Sequence, residues 1–220
     1  MSKAYVIGDI HGCYYTLISA INKINKTREK DDVIIFLGDY FDRGKYNAEV
    51  YFYLRQLEQD ENYNVIFIRG NHEQMQLDAI KSRSNEHLWF CNGGDVTSEH
   101  FTEASISPSE VKNWIEKMPY AYHHEELNFF AVHSYLPHVF IEDFNKEDQE
   151  ECIWDRHKNT VGNKVFHGHT PHINFVKIDG NDINLDTGCV FDGGLSFATI
   201  TPTCYGITTI PTHGYDKRSN

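Results

Sequence analysis

Basic residues are scarce in this chain of 220 residues. Lys and Arg number 20 against 32 Asp and Glu, for a formal net charge of −12 with histidine neutral. That deficit argues against sequence-independent nucleic-acid binding, which needs a basic face to displace counterions, and against docking on an anionic membrane. Long apolar runs are missing too: no stretch approaches the ~20 residues that span a bilayer. The N-terminus enters the apolar segment Ala4-Tyr5-Val6-Ile7 almost at once, without the basic start, long apolar run and cleavage site of a secretory signal. Cysteine is limited to five scattered residues, Cys13, Cys91, Cys152, Cys189 and Cys204, with no Cys-x-x-Cys pair. Such a set indicates neither a disulfide framework nor a thiolate zinc site, and a cytoplasmic location is expected. Internal repeats, low-complexity tracts and linkers are also lacking. The expectation is therefore one domain over residues 1–220, acting as a monomer, with a frayed tail from Lys217 to Asn220.

Hydrophobic residues make up 40% of the chain, enough for a sizeable core. Apolar runs predict strands at Ala4–Ile7, Val33–Leu37 and Val65–Ile68, and the second of these has no polar alternation, as suits burial on both faces. Helical spacing predicts helices over Tyr14–Asn25 and Asn47–Glu58. This β-α-β-α-β order favours a mainly parallel sheet with right-handed crossovers. Residues 74–118 read as more helical. There, Ser107 as N-cap, Pro108 at the first position and Glu110 predict a capping box, and Val111, Trp114, Ile115 and Met118 form a core stripe. The remainder is strand-rich: Asn128–Val132, Lys164–Phe166, Phe175–Ile178, Ile183–Leu185, Leu195–Ile200 and Tyr205–Ile210. Asp179-Gly180-Asn181-Asp182 reads as a hairpin turn. The β-rich second half suggests a second sheet packed on the first.

Three segments carry the chemistry: Gly8-Asp9-Ile10-His11-Gly12, Gly38-Asp39-Tyr40-Phe41-Asp42-Arg43-Gly44 and Gly70-Asn71-His72-Glu73. Each follows a buried strand, and ligands in such sheets bind outside the carboxyl ends of the strands. Asp9 and His11, two apart in an extended segment, are expected to point the same way. Asp39 can bridge two ions. Asn71 offers a neutral oxygen, and His133 and His169 follow later strands. The reading assigns Asp9, His11 and Asp39 to one metal, and Asp39, Asn71, His133 and His169 to the other. Such a thiolate-free set suits manganese, iron or zinc. Two ions ~3.5–4 Å apart form a clamp for in-line hydrolysis of phosphate esters. Gly8, Gly12, Gly38, Gly44 and Gly70 are expected to allow positive-φ turns and close approach to phosphate. Arg43 can fork onto phosphate oxygens. His72 is placed as general acid and Asp42 as its orienting carboxylate.

Other groups receive plainer readings. Arg69 is expected to pair with a carboxylate beneath the site, Glu73 to cap the helix that follows it, and Cys13 to pack in the core. His167 is a candidate for supporting His169. His87, His100, His123, His124, His138, His157, His172 and His213 are given no role.

The three segments resemble the signature motifs of the PPP-type phosphoprotein phosphatases, within the calcineurin-like metallophosphoesterases. The short bacterial and bacteriophage branch is the nearest in pattern. Val132-His133-Ser134, Ile153-Trp154-Asp155-Arg156, Phe166-His167-Gly168-His169-Thr170-Pro171, and Asp186-Thr187-Gly188 with Gly193-Gly194-Leu195 fit it as well. The resemblance spans roughly Ala4 to Ile200. It implies an α/β fold of two packed mixed sheets flanked by helices, with a two-metal site at the strand ends. It also implies in-line attack by a metal-bridging hydroxide on phosphoserine or phosphothreonine of a protein or peptide substrate, with phosphotyrosine as a further candidate and manganese as the expected metal. Asp9, His11, Asp39, Asn71, His133 and His169 match the ligands, His72 the acid, Asp42 its partner, and Arg43 and Arg156 the phosphate-binding arginines. Trp154 is expected to be structural. Ser134 stands where Gly or Ala is common in relatives, and the eukaryotic C-terminal extension has no counterpart.

Two other functions compete. A symmetrical dinucleoside tetraphosphatase shares the first motif and Asp186-Thr187-Gly188. That group often lacks the equivalents of Asp42 or Glu73, and both are present here. A noncatalytic metal scaffold would not need His72, Arg43 and Arg156.

Overall fold

The computed structural model describes residues 3–217, so three residues of the expected frayed tail, 218–220, lie outside the described residues. The first sheet has the order β10 (Tyr205–Ile210), β9 (Leu195–Ile200), β1 (Ala4–Ile7), β2 (Val33–Phe36), β3 (Asn64–Phe67). The second runs β4 (Ala121–His124), β5 (Phe129–Val132), β6 (Lys164–His167), β8 (Asp182–Asn184), β7 (Lys177–Asp179). Both sheets are mixed. Parallel triplets β1-β2-β3 and β5-β6-β8 carry antiparallel strands at their edges.

Strand alternation sorts side chains into layers. Val6, Ile35 and Ala198 face Phe129, Ala131, Phe166 and Ile183 between the sheets. Tyr5, Ile7, Ile34 and Phe36 face the opposite way, onto α1 (Tyr14–Ile24), α2 (Asn47–Gln59), α5 (Asp95–Glu103) and α6 (Pro108–Ile115). Helix α7 (Lys146–Trp154) lays Cys152 and Ile153 on the outer face of the second sheet. Helices α3 (Asn71–Ala79) and α4 (Arg83–Trp89) complete the chain between β3 and α5. No helix among the described residues is long and apolar enough to cross a membrane. Trp114 is core as expected, with its ring against Tyr40, Phe41, Tyr51 and Phe67.

Register positions the motifs. Ile7, Phe36 and Phe67 lie side by side as the last residues of β1, β2 and β3. Residues 8–12, 38–44 and 70–73 therefore leave the sheet at one level. The hairpin at Gly180 forms as expected, pairing Asp179 with Asp182.

Two local expectations fail. Ser107 caps α6 with no side-chain bond, because its Oγ pairs with Ser109 Oγ at 2.8 Å. A capping box forms instead at α7, where Asn145 Oδ1 accepts from Glu147 and Asp148 N–H and Asp148 Oδ2 accepts from Asn145 N–H. Arg69 meets no carboxylate among the described residues and donates to the Ile115 and Glu116 carbonyls and the Tyr120 hydroxyl. The two carbonyls lie at the end of α6, where the last carbonyls lack helical partners.

Candidate metal centre and acid–base pair

The motif backbones are held in a conformation that non-glycine residues avoid. His11 (φ 46°), Asp39 (52°), Asp42 (73°), Arg43 (68°) and His169 (69°) all lie in the left-handed region. Each costs roughly 1–2 kcal/mol, and such strain persists only where the surroundings over-determine it. The left-handed turn at His11 means that Asp9 and His11 do not share one extended segment, correcting the expectation. Of the five flanking glycines only Gly12 and Gly38 have positive φ. Gly70 serves close approach: a Cβ there would stand 2.4 Å from Asp39 Oδ1.

Two groups of candidate ligands converge: His11, Asp39 and His72 in one, and Asp39, His133 and His169 in the other, all buried. Asp39 belongs to both through different oxygens. Its Oδ2 is 3.4 Å from His11 Nε2 and its Oδ1 3.4 Å from His133 Nε2. The ring tautomers follow from the backbone. His11 Nδ1 lies 2.7 Å from the Phe41 carbonyl and His133 Nδ1 2.8 Å from that of Leu37. A carbonyl can only accept, so each Nδ1 carries the hydrogen and each Nε2 presents a lone pair. Burial pushes His11 down to about 4, so its ring is neutral at pH 7; burial lowers His133 as well, and burial together with His133 takes His169 down to about 3. Lone pairs therefore face carboxylate oxygen. Asn71 Oδ1 adds a third acceptor, 2.9 Å from His133 Nε2 and 3.2 Å from His169 Nδ1, while His169 Nε2 is buried with no hydrogen-bond partner among the described residues. Convergent acceptors with ring N–H groups anchored on carbonyls fit divalent cations, whose imidazole ligands are oriented in this way.

Asp9 belongs to neither group. Its carboxylate turns to His169 and accepts that residue's backbone N–H at 3.0 Å. It stays part of the same electrostatic unit: burial, then Asp186 and Asp39, raise it well above the usual carboxylate range. Asp186, two residues past the end of β8, is itself lifted to about 7 by burial. Burial alone would also raise Asp39, but His133, His72 and His11 hold it well below its usual range. Three buried carboxyl groups in mutual contact through their fields are what a divalent cation would relieve.

The second device is an acid–base pair. His72 Nδ1 lies 2.6 Å from Asp42 Oδ2. Burial opposes protonation of His72, yet Asp39 and Asp42 raise it above its ordinary value. Asp42 is clamped from outside its own motif. Trp89 Nε1–H donates to Oδ2 at 2.8 Å, Thr97 Oγ1–H donates to Oδ1 at 2.6 Å, and Thr97 Oγ1 accepts the Asp42 backbone N–H. Both clamps were invisible in sequence, lying 47 and 55 positions along the chain on α4 and α5. Arg43 spans the first cluster, its guanidinium nitrogens 2.7 Å from His11 Nε2 and 2.8 Å from His72 Nε2. Glu73 caps α3 as expected and does more, accepting N–H groups of Gly70, Asp39 and Tyr40 and so tying the end of β2 to the helix start. Burial, then the Asp39 charge, push its carboxyl up to about 7.

Arg156 leaves the end of α7 and bears electrostatically on His169 and Asp186. Trp154, expected to be structural, is 44% exposed, its ring edge-on to His169 at 6.4 Å. His167 pairs with Asp182 at 3.0 Å, so it supports the second sheet rather than His169. Ser134 binds the last turn of α7 through the Glu151 carbonyl. All five cysteines are free, with Cys13 buried in the core.

The family model for calcineurin-like phosphoesterases matches residues 2–195. The chain belongs to this family. It is thus a metallophosphoesterase, a hydrolase of a family that uses divalent metals. Serine/threonine-protein phosphatase 1 of Salmonella typhimurium is 30% identical over 212 residues, covering 89% of this chain and 91% of the relative. A symmetrical bis(5'-nucleosyl)-tetraphosphatase of Marinomonas is 27% identical over 133 residues, covering 60% of this chain and 44% of the relative. Among solved structures, a putative diadenosine tetraphosphatase superposes with a TM-score of 0.66 at 17% identity, covering 94% of this chain and 93% of that one. The likeness to solved metallophosphoesterases carries the fold: two mixed sheets with flanking helices.

Proposed function

We propose that this metallophosphoesterase removes phosphate from phosphoserine and phosphothreonine in protein substrates. The observation that carries the reading is the clamped Asp42–His72 pair at 2.6 Å beside the two ligand clusters. A serine or threonine alkoxide is a poor leaving group and needs a proton as it departs. Similarity over nearly the full length of a bacterial serine/threonine phosphatase supports the same reading.

In this reading His11, Asp39, Asn71, His133 and His169 hold two divalent metals, with Asp9 completing the set. When bound, the metals neutralise phosphate charge and make water nucleophilic at neutral pH. Manganese is the preferred ion, since the donors are oxygen and imidazole without thiolate. The residues themselves do the rest. Arg43 and Arg156 take phosphate oxygens through their guanidinium forks. Drawing Arg43 onto phosphate frees His72 Nε2, which then carries a proton to the leaving oxygen while Asp42 keeps the ring turned. Five unpaired cysteines are consistent with a reducing, cytoplasmic setting.

A tetraphosphatase is the competing reading, favoured by the solved diadenosine tetraphosphatase likeness. A turnover panel with manganese separates the two: phosphoserine peptide, phosphotyrosine peptide and diadenosine tetraphosphate. The expected order has phosphoserine peptide first in kcat/KM. Faster cleavage of diadenosine tetraphosphate than of either peptide overturns the proposal.

The clamp on Asp42 gives a second test. Trp89→Phe keeps the ring in its apolar wall and deletes one donor to a buried carboxylate. A hydrogen bond to a charged group is worth ~1.5–3 kcal/mol, so kcat on phosphoserine peptide should fall roughly ten- to a hundredfold with KM little changed. Loss in KM alone would show that Trp89 shapes binding and not the acid.

A further inference from the structure

The segment that follows β10 is tied into the catalytic loops from behind. Helix α1 begins directly after the first motif. Its own N-cap residue, Cys13, makes no side-chain cap bond, and its first turn holds no acidic residue. The cap comes from the other end of the chain. Asp216 is buried and accepts from the Thr16 N–H at 2.7 Å and the Tyr15 N–H at 3.3 Å, and the Thr16 hydroxyl donates to it at 2.6 Å. Those are the N–H groups at the second and third helical positions, which an N-cap side chain normally satisfies. Thr16 Oγ1 in turn accepts the His213 N–H at 2.9 Å.

The same segment reaches two more catalytic loops. Thr212 Oγ1 donates to the Cys189 carbonyl at 2.9 Å and accepts the Gly194 N–H at 3.0 Å, holding both ends of the turn that follows Asp186. The Lys217 carbonyl accepts from Lys45 Nζ, next to Gly44 of the second motif. Helix α1 bears on the metal centre because His11 lies just before it, at φ 46°, followed by Gly12 at φ 66°. Such strained backbone persists only where its surroundings hold it. On the sheet side the Asp39 and Tyr40 carbonyls accept the N–H groups of His11 and Gly12. On the helix side the hold is the first turn of α1, which rests on Asp216.

We propose that Asp216 is a positioning residue for the metal centre: by capping α1 from the far end of the chain, it keeps the His11 turn in the form that presents its imidazole to metal. Asp216 touches no candidate ligand. It sets the fraction of metal-free protein whose turn is ready, and apparent affinity falls in proportion to that fraction. Saturating metal then draws the turn back. The inference concerns the metal centre alone and holds whether the substrate is a phosphoprotein or a dinucleotide.

Manganese titration of the whole chain, with free Mn2+ read by electron paramagnetic resonance, tests it. Asp216→Ala should weaken one binding step by about three- to tenfold, within what loss of an N-cap contact changes an equilibrium. The step that moves should be the one that His11→Asn removes. At saturating manganese, kcat on p-nitrophenyl phosphate should return to within about twofold of the unmodified protein. Asp216→Asn keeps an oxygen for the Thr16 N–H and should recover most of the affinity. Asn145→Ala is the control for stability alone. It deletes the cap of α7, a helix that starts at no motif, and should lower the melting temperature with manganese affinity unchanged. Unchanged affinity in Asp216→Ala, equal weakening of both steps, or the same weakening in Asn145→Ala overturns the proposal. If Asp216→Ala does not fold, Thr16→Val decides by the same criteria. It removes only the hydroxyl that links α1 to Asp216 and His213, and should shift the same step by a smaller amount.

Discussion

Asp39→Asn should leave a folded protein that holds fewer than two metals and has lost nearly all turnover. The Asp39 side chain is buried, and it alone belongs to both ligand clusters, giving Oδ2 to the His11 side and Oδ1 to the His133 side. The amide replaces one of those oxygens with an N–H donor. That donor can satisfy an imidazole lone pair at 3.4 Å, so the metal-free fold survives. The same change removes the charge that balances two divalent ions. Loss of residues that merely support metal ligands costs ~10–100-fold in affinity or activity, and loss of a shared ligand should exceed the upper figure. Elemental analysis gives metal per chain, and turnover with saturating manganese gives activity. Two ions per chain with undiminished turnover would mean that the bridge lies elsewhere.

Much of this site could be read from the sequence because its parts are local. Asp39 and Asn71 follow apolar runs whose ends are flush in the sheet, and the runs are bounded by glycine. Strands β9 and β10 were equally plain, being apolar segments on either side of a short polar turn. What escaped was whatever depends on packing between distant segments. Strand β4 reads Ala-Tyr-His-His, without an apolar run, and is a strand because it pairs along the edge of β5. Helix α7 buries only Cys152 and Ile153, so its periodicity is faint, and the Asn145–Asp148 capping box at its start was not anticipated. Asp9 and His11 do not share the extended segment expected of them, because His11 turns into the left-handed region. Trp89 and Thr97 carry no motif. They matter only because two helices bring an indole N–H and a hydroxyl onto a carboxylate that the second motif had already supplied.

His72→Asn should separate substrates by how badly their leaving group needs a proton. The imidazole is held by Asp42 on one nitrogen and meets Arg43 on the other, within a buried pocket where Asp39 and Asp42 favour its protonated form. A serine alkoxide is strongly basic and gains the whole benefit of that proton, whereas a nitrophenolate departs with little help. General acid catalysis contributes about 10²–10⁴-fold, so the variant should lose that much on a phosphoserine peptide and far less on p-nitrophenyl phosphate, with metal content unchanged. Asp42→Asn should move in the same direction by a smaller amount, because it removes the charge that supports the ring and leaves the imidazole in place. Thr97 Oγ1–H and Trp89 Nε1–H, which both donate to the present carboxylate, would then face an amide that can accept both only on its single oxygen. Part of its loss should therefore overlap with that of Trp89→Phe, and the double variant should fall short of the product of the two single effects. Equal losses on both substrates in His72→Asn would recast the imidazole as a group that positions phosphate and leaves the departing oxygen to solvent.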